Sequence, residues 1–266
     1  MMAYYAARPG RKTALANLEK VYGNTLTPSE RIRIAKASFV NLTLTVLESC
    51  YAPRFSAPMA DHIDVYGAEL LFQAHQSGKG VLFLVPHMGN WEVSSRFMTE
   101  NLPVVHAVVR QQKPQWVAKL LQEIRANNGI REIDNRNALR PSLAALRRGE
   151  TVIMMIDQHI SRGAVEVEFF GIPAMTSAAP ALLAMKTECT VLFGACFRLE
   201  NGRFAGKIRG PAETIRTGDR DHDLRVNTQN YVRVLEGFVR EHPEEWMWMH
   251  RRWRVPVQTT QMALPK

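Results

Sequence analysis

A histidine and a glutamate five residues apart, His87 and Glu92, are the pair in this chain best placed to move a proton. They close the run Val81-Leu82-Phe83-Leu84-Val85-Pro86-His87-Met88-Gly89-Asn90-Trp91-Glu92. On one regular helix, side chains five apart point about 140° away from each other, so a single helix cannot pair them. If His87 instead stands before a helix and Glu92 lies in its first turn, the carboxylate can fold back onto one imidazole nitrogen. The other nitrogen is then free to take a proton from a hydroxyl or amine, which makes the pair a general base. Chance produces such a spacing readily, because acids are common and the chain has eight histidines. Placement says more: no other histidine has Asp or Glu at that offset, and His87 follows the clearest strand signal in the chain.

The elements around the pair are legible from pattern. Five apolar residues from Val81 to Val85 suit a strand buried on both faces, Pro86 ends it, and Gly89-Asn90 supply turn and N-cap chemistry for a helix to about Glu100. Upstream, Thr27-Pro28-Ser29-Glu30 is a capping box with proline at the first helical position, opening a helix to about Cys50. Its residues Ile32, Ala35, Phe39, Leu42 and Val46 share one face, which serves either core packing or a lipid surface. Before it, Met1–Ala7 reads as a terminus that frays and Arg8-Pro9-Gly10-Arg11-Lys12 as a loop. From Asp61 onward strands alternate with helices. Strands are expected near 63–66, 81–85, 104–109, 151–156, 165–170, 190–197 and 203–208, and helices near 68–76, 90–100, 114–128, 139–148, 177–186 and 221–241. Asn201-Gly202 is a hairpin signal. The expected fold is therefore α/β, with a mixed, largely parallel central sheet flanked by helices and an N-terminal helical pair. We read residues 1–266 as one domain: a membrane-proximal helical part to residue 60, a catalytic core over 61–254, and a tail over 255–266.

Ligands of such sheets sit beyond the carboxyl ends of the strands. Three predicted strand ends deliver His87, Arg110 and Asp157-Gln158-His159, while Arg125 precedes the Asn127-Asn128-Gly129 helix stop and Arg136 follows in the next connection. A lone arginine is usually a solvated surface residue, and an acid after a strand is often a cap. Their gathering at one edge marks Arg110, Arg125 and Asp157 as candidate substrate-binding residues.

A formal charge of +9 implies an anionic partner: nucleic acid, a lipid surface, a phosphorylated substrate or an acidic carrier. The three cysteines lack metal-ligand spacing, no 18-residue apolar run is present, and neither His-Glu-x-x-His nor Gly-x-Ser-x-Gly occurs. No metal is expected, although His87, Glu92, Asp157 and His159 form the ligand set a metal-dependent hydrolase would need. Trp246, Trp248 and Trp253 alternate with His250, Arg251, Arg252 and Arg254. That pattern fits base stacking in a nucleic-acid-binding protein, a membrane interface, or inward tryptophans with outward arginines.

His87-Met88-Gly89-Asn90-Trp91-Glu92, Asp157-Gln158, Phe169-Phe170-Gly171-Ile172-Pro173-Ala174 with Thr176, and Pro243-Glu244-Glu245-Trp246-Met247-Trp248-Met249-His250-Arg251-Arg252-Trp253 together resemble the bacterial late acyltransferases of lipid A biosynthesis, from about Arg11 to Arg254. The resemblance implies a glycerolipid acyltransferase-like fold. It also implies transfer of an acyl chain from an acyl carrier protein thioester to a hydroxyl of a lipid A precursor or related glycolipid, with acyl-CoA as the other possible donor and lysophospholipids as other possible acceptors. His87 would be the base and Glu92 its orienting partner, while Arg125 would neutralise a phosphate or oxyanion and Asp157 would position that guanidinium or the acceptor. The implied place is the cytoplasmic face of the bacterial inner membrane, held peripherally, with neither a bound cofactor nor a nucleic-acid partner. Family members usually begin with a membrane-spanning helix before the matching segment, and this sequence starts almost where that helix would end, which fits either a truncated start or a peripheral variant. Met154-Met155 and the stretch Ala178–Met185 are candidate linings of an acyl slot, with core packing as the competing role.

Overall fold

Val81–Val85 forms the central strand β2 of a seven-stranded sheet, and every residue of it is buried, as a parallel strand covered on both faces requires. The computed structural model describes residues 2–51 and 58–254, so the expected tail and Pro53 lie outside the described residues. The sheet is built from β1 (Ile63–Tyr66), β2, β3 (Val105–Val109), β4 (Ile130–Asp134), β5 (Thr151–Met155), β8 (Thr190–Arg198) and β9 (Phe204–Ala212), in the order β1-β9-β8-β2-β5-β3-β4. All neighbouring pairs are parallel except β8 with β9. That antiparallel hairpin turns at Asn201-Gly202, where Gly202 takes a φ of 80°, so the mixed sheet follows the expected pattern. β6 (Ala164–Phe169) and β7 (Ile172–Ser177) form a separate antiparallel ribbon.

Helices cover both faces. Residues of α4 (Ala68–Gln76) and α5 (Trp91–Asn101) pack with Phe83 and Ile153 in one apolar cluster. Residues of α7 (Leu139–Arg147), α8 (Ala179–Lys186) and α9 (Arg220–Glu241) pack with Leu82, Leu84 and Trp246 in the larger one. α6 (Gln115–Asn127) packs chiefly on the edge strand β4, and Ile124 is its one buried residue. The residues proposed for an acyl slot fall largely in these clusters: Met154, Ala181, Leu183 and Ala184 are buried core.

Ahead of the sheet stand α1 (Met2–Ala6), α2 (Arg8–Tyr22) and α3 (Pro28–Tyr51). The capping box at Thr27 is formed, with Thr27 N–H donating to Glu30 Oε2 at 2.7 Å and Glu30 N–H to Thr27 Oγ1 at 3.3 Å. The stretch Arg8–Lys12 is the start of a helix rather than a loop. Pro9 occupies a first-turn position where its missing N–H is harmless, and Gly10 lets Phe39 of α3 pack close, since a Cβ there would lie 3.3 Å from the ring. Nor does the terminus fray before it: Tyr4 is buried edge-on against Phe39.

The predicted apolar face of α3 is divided by the structure. Ala35 and Phe39 turn inward with Ile34, whereas Ile32 and Val46 are exposed. In the second half of the helix the buried side is polar, made by Ser38, Asn41, Thr45 and Ser49. That inversion has a local cause, because Ser38, Asn41 and Thr45 hydrogen-bond the loop that carries His87 or the segment after α9, while Ser49 bonds back to the Thr45 carbonyl.

Candidate active site

Parallel register builds the site. β2 and β5 pair in step, Val85 opposite Met155, so the chain two residues past each strand end brings His87 opposite Asp157. Asp157 Oδ1 lies 2.7 Å from His87 Nδ1, and Oδ2 accepts the His87 backbone N–H at 2.7 Å and the Trp246 indole N–H at 2.8 Å. The carboxylate at the imidazole therefore belongs to Asp157. Glu92, expected in that place, sits in the first turn of α5 and is held elsewhere: Arg125 donates to it through Nε at 3.0 Å and Nη2 at 2.6 Å. The same guanidinium donates through Nη1 to Glu132 Oε1 at 3.0 Å. Arg125 is accordingly anchored by two carboxylates, and Asp157 does not position it.

The electrostatics fix the proton. Burial by itself would raise the Asp157 pKa, but the nearby His87 and the hydrogen bonds from His87 and Trp246 outweigh it and bring the carboxyl to about 2. Asp157 is then an acceptor only, so Nδ1 of His87 carries the proton it donates, and in the neutral imidazole the lone pair lies on Nε2. His87 is partly exposed while Asp157 is buried, an imidazole at the surface backed by a sequestered carboxylate. Burial of Arg125 opposes its charge, yet Glu92 and Glu132 hold its pKa above the ordinary value.

The loop between β2 and α5 is clamped from several sides. Gly89 has a φ of 57°, and a Cβ there would lie 1.4 Å from the Cys196 carbonyl oxygen, so only glycine fits. Its N–H donates to the Glu245 carbonyl at 3.2 Å, and its carbonyl accepts from Thr45 Oγ1 at 2.8 Å. Asn90 caps α5, its Oδ1 accepting from Glu92 N–H at 3.1 Å and Val93 N–H at 3.0 Å, while its Nδ2 donates to Glu48 at 2.6 Å. Arg198, at the end of β8, donates to Glu48, Asn41 and Thr45, locking to β8 the same α3 side chains that hold this loop. After α9, Met247 N–H donates to the His87 carbonyl at 3.1 Å, and Met88 bridges to Trp246.

The sequence does not mark Glu48, Arg198 or Asn41 as site residues, nor Trp246 as a partner of Asp157. Trp246 belongs to the alternating aromatic and basic segment, and only the fold reveals its indole as a donor to Asp157. That alternation is resolved inward: Trp246 and Trp248 are fully buried, so neither can stack on a base or enter a membrane interface. Arg252, expected to face outward, is buried as well. It donates to the carbonyls of Gln158 at 3.2 Å and Met175 at 2.7 Å and to Thr176 Oγ1, and its guanidinium lies over the Phe169 ring. Arg251 is exposed. His250 accepts the His159 N–H on Nε2 at 3.0 Å, and burial pushes its pKa down to about 4.

Arg110 is exposed one residue beyond β3, outside the cluster of hydrogen bonds around His87. Arg136 is exposed too, paired with Asp134 at 2.5 Å. With Glu92 turned to Arg125, the set His87, Glu92, Asp157 and His159 does not converge on one point, and among the described residues no group of three or more His, Cys, Asp or Glu is arranged to hold a metal ion. No described helix is long and apolar enough to cross a membrane.

Comparison with known proteins returns one family across almost the whole chain. Residues 1–255 match the family model described as bacterial lipid A biosynthesis acyltransferase. A phosphatidylinositol mannoside acyltransferase of Mycolicibacterium smegmatis is 25% identical over 264 residues, covering 94% of this chain and 82% of that protein. The lipid A biosynthesis myristoyltransferase of Escherichia coli K12 is 22% identical over 253 residues, 92% of this chain and 76% of its own length. The palmitoleoyltransferase of the same strain is 22% identical over 231 residues, 85% and 72% of the two chains.

Proposed function

The chain belongs to the bacterial lipid A biosynthesis acyltransferase family, and from that premise we propose that it moves a fatty acyl group from an acyl carrier protein thioester to a hydroxyl of a glycolipid, with His87 as general base and Asp157 as the carboxylate that orients it. The observation that carries the reading is the 2.7 Å contact between His87 Nδ1 and an ionised, buried Asp157. It leaves Nε2 able to accept a proton, and a thioester needs no enzyme nucleophile if the acceptor hydroxyl can be deprotonated. The acceptor O–H gives its proton to Nε2 as its oxygen bonds to the thioester carbonyl carbon. Collapse of the tetrahedral intermediate breaks the C–S bond, and the proton on Nε2 passes to the departing sulfur. Asp157 stabilises the imidazolium between those two transfers.

Glu92 acts one step away, by holding Arg125. The lipid A precursor and the phosphatidylinositol mannoside type of glycolipid are the two acceptor classes that the relatives' names suggest, both anionic lipids matched by a chain of net charge +9. The protein would work peripherally on the cytoplasmic face of the inner membrane. Incubation with radiolabelled acyl carrier protein and acyl-CoA thioesters and a panel of lipid acceptors, followed by chromatography of the lipids, tests the reading. A labelled glycolipid formed from the carrier thioester is expected; free fatty acid as the sole product with every acceptor contradicts it.

A further inference from the structure

Two helices grip the start of α5 beside His87, and both turn apolar side chains to the outside. α3 holds Asn90 through Glu48, and α6 holds Glu92 through Arg125. Each helix is fixed at the catalytic loop by its polar side, and each leaves large apolar side chains exposed on another side.

On α6 the apolar stripe runs through Trp116, Val117, Leu120, Leu121 and Ile124, positions that fall on one face of a helix. Only Ile124 is buried; Trp116 is 68% and Leu120 41% exposed. From Arg125, anchored at Glu92, the helix reaches back about 14 Å to Trp116 at about 1.5 Å per residue. Lys113 and Lys119 are exposed beside the stripe, the latter 3.9 Å from Glu123. On α3 the inversion is sharper. Between Ala37 and Cys50 the one charged residue is Glu48, which is turned inward to Asn90 and Arg198, while Val46 and Leu47 are 54% and 53% exposed. A helix with polar groups inside and aliphatic groups outside is the reverse of what water selects.

We propose that these two faces are the surface by which the protein lies on an anionic lipid bilayer, setting the partly exposed His87 toward the headgroups. This rests on the reading of the protein as a lipid acyltransferase and specifies where it meets its acceptor. Lipid is favoured over a protein partner by the makeup of α6: a tryptophan and leucines on one side, with Lys119 at the margin and Lys113 just ahead of the helix, form the pattern of a helix that sits in the headgroup layer. The segment around Arg251 and Arg252 is not this surface, because Arg252, Trp246 and Trp248 are inside the protein.

The test compares parent, Trp116→Ser with Leu120→Ser, and Leu44→Gln with Leu47→Gln, each checked for folding by circular dichroism. Binding is read by co-sedimentation with vesicles of phosphatidylcholine alone or mixed with phosphatidylglycerol. The parent is expected to bind the mixed vesicles with a blue shift of tryptophan emission, and each double variant to bind about tenfold or more weakly, as loss of two buried apolar side chains implies. Transfer to a water-soluble short-chain acceptor should be unchanged in both variants, while transfer to an acceptor embedded in vesicles falls. Variants that bind as the parent does, a parent that does not bind, or a concentration-dependent dimer that protects Trp116 from an aqueous quencher would each overturn the proposal. The two readings fail separately. A parent that binds vesicles through these faces yet acylates no acceptor keeps the docking surface and removes the enzymatic reading; a parent active on the soluble acceptor whose vesicle binding ignores both faces does the reverse.

Discussion

The role of each carboxylate is decided by which cation it meets. Glu92 and Asp157 are both buried and both paired, but Asp157 faces an imidazole that can exchange protons whereas Glu92 faces a guanidinium that cannot. Asp157→Asn should therefore depress acyl transfer by about two orders of magnitude or more, because an amide cannot stabilise the imidazolium and favours the wrong tautomer. Glu92→Gln should act through Arg125 instead, raising the acceptor KM more than it lowers kcat. Initial rates over a range of acceptor concentrations separate the two. Equal kcat losses in both variants would mean that Glu92 serves the proton transfer after all. The five-residue spacing expected Glu92 at the His87 ring where the structure has Asp157, for a physical reason: Asp157 is 70 positions from His87 and is brought to it by the β2–β5 register.

At the scale of elements, the start of α5 is where the fold's hydrogen bonding converges. Asn90 caps the helix and ties it to α3, so Asn90→Ala should cost about 1–2 kcal/mol of stability, the usual range for losing such a cap. A urea midpoint indistinguishable from the parent's would refute the clamp. Glu245, behind the same loop, offers a pH test. Burial raises its pKa to about 7, although Arg198 works in the opposite direction. Between its ordinary value of 4.5 and about 7, the folded protein keeps a proton that the unfolded chain has released, so this group's contribution to stability declines as pH rises through that window. Glu245→Gln has no such titration. Parent stability should fall relative to that variant as pH climbs from about 5 to about 8, and a difference that stays constant would show that Glu245 does not titrate there. Elements hard to read in the sequence were those at the edges. β4 carries Arg131 and Glu132 and pairs with β3 alone, and β7 contains Pro173 and pairs with β6 alone, so neither shows the continuous apolar run of β2.

For the molecule as a whole, hydrophobic pattern and turn chemistry carried far. Alternation of strands and helices, the Asn201-Gly202 turn and the Thr27 cap all stand in the structure. The faces of α3 and the fate of Arg252 were hidden, because a sequence shows which residues are apolar or charged but not which inner oxygens need donors. Arg252 fills such a need, and Arg252→Glu is expected to unfold the protein rather than repel anionic vesicles. A net charge of +9 also predicts that encounter with an acidic carrier weakens with salt, since the screening length falls from about 10 Å at 0.1 M to about 3 Å at 1 M. The most direct test of the account is a double-mutant cycle on single-turnover acyl transfer with parent, His87→Ala, Asp157→Ala and the double variant. His87→Ala should lose about two to four orders of magnitude, and the double variant should be no slower than His87→Ala alone, because an orienting carboxylate has nothing to orient once the imidazole is gone. Losses that multiply in the double variant, or transfer at the parent rate by folded His87→Ala, would contradict it.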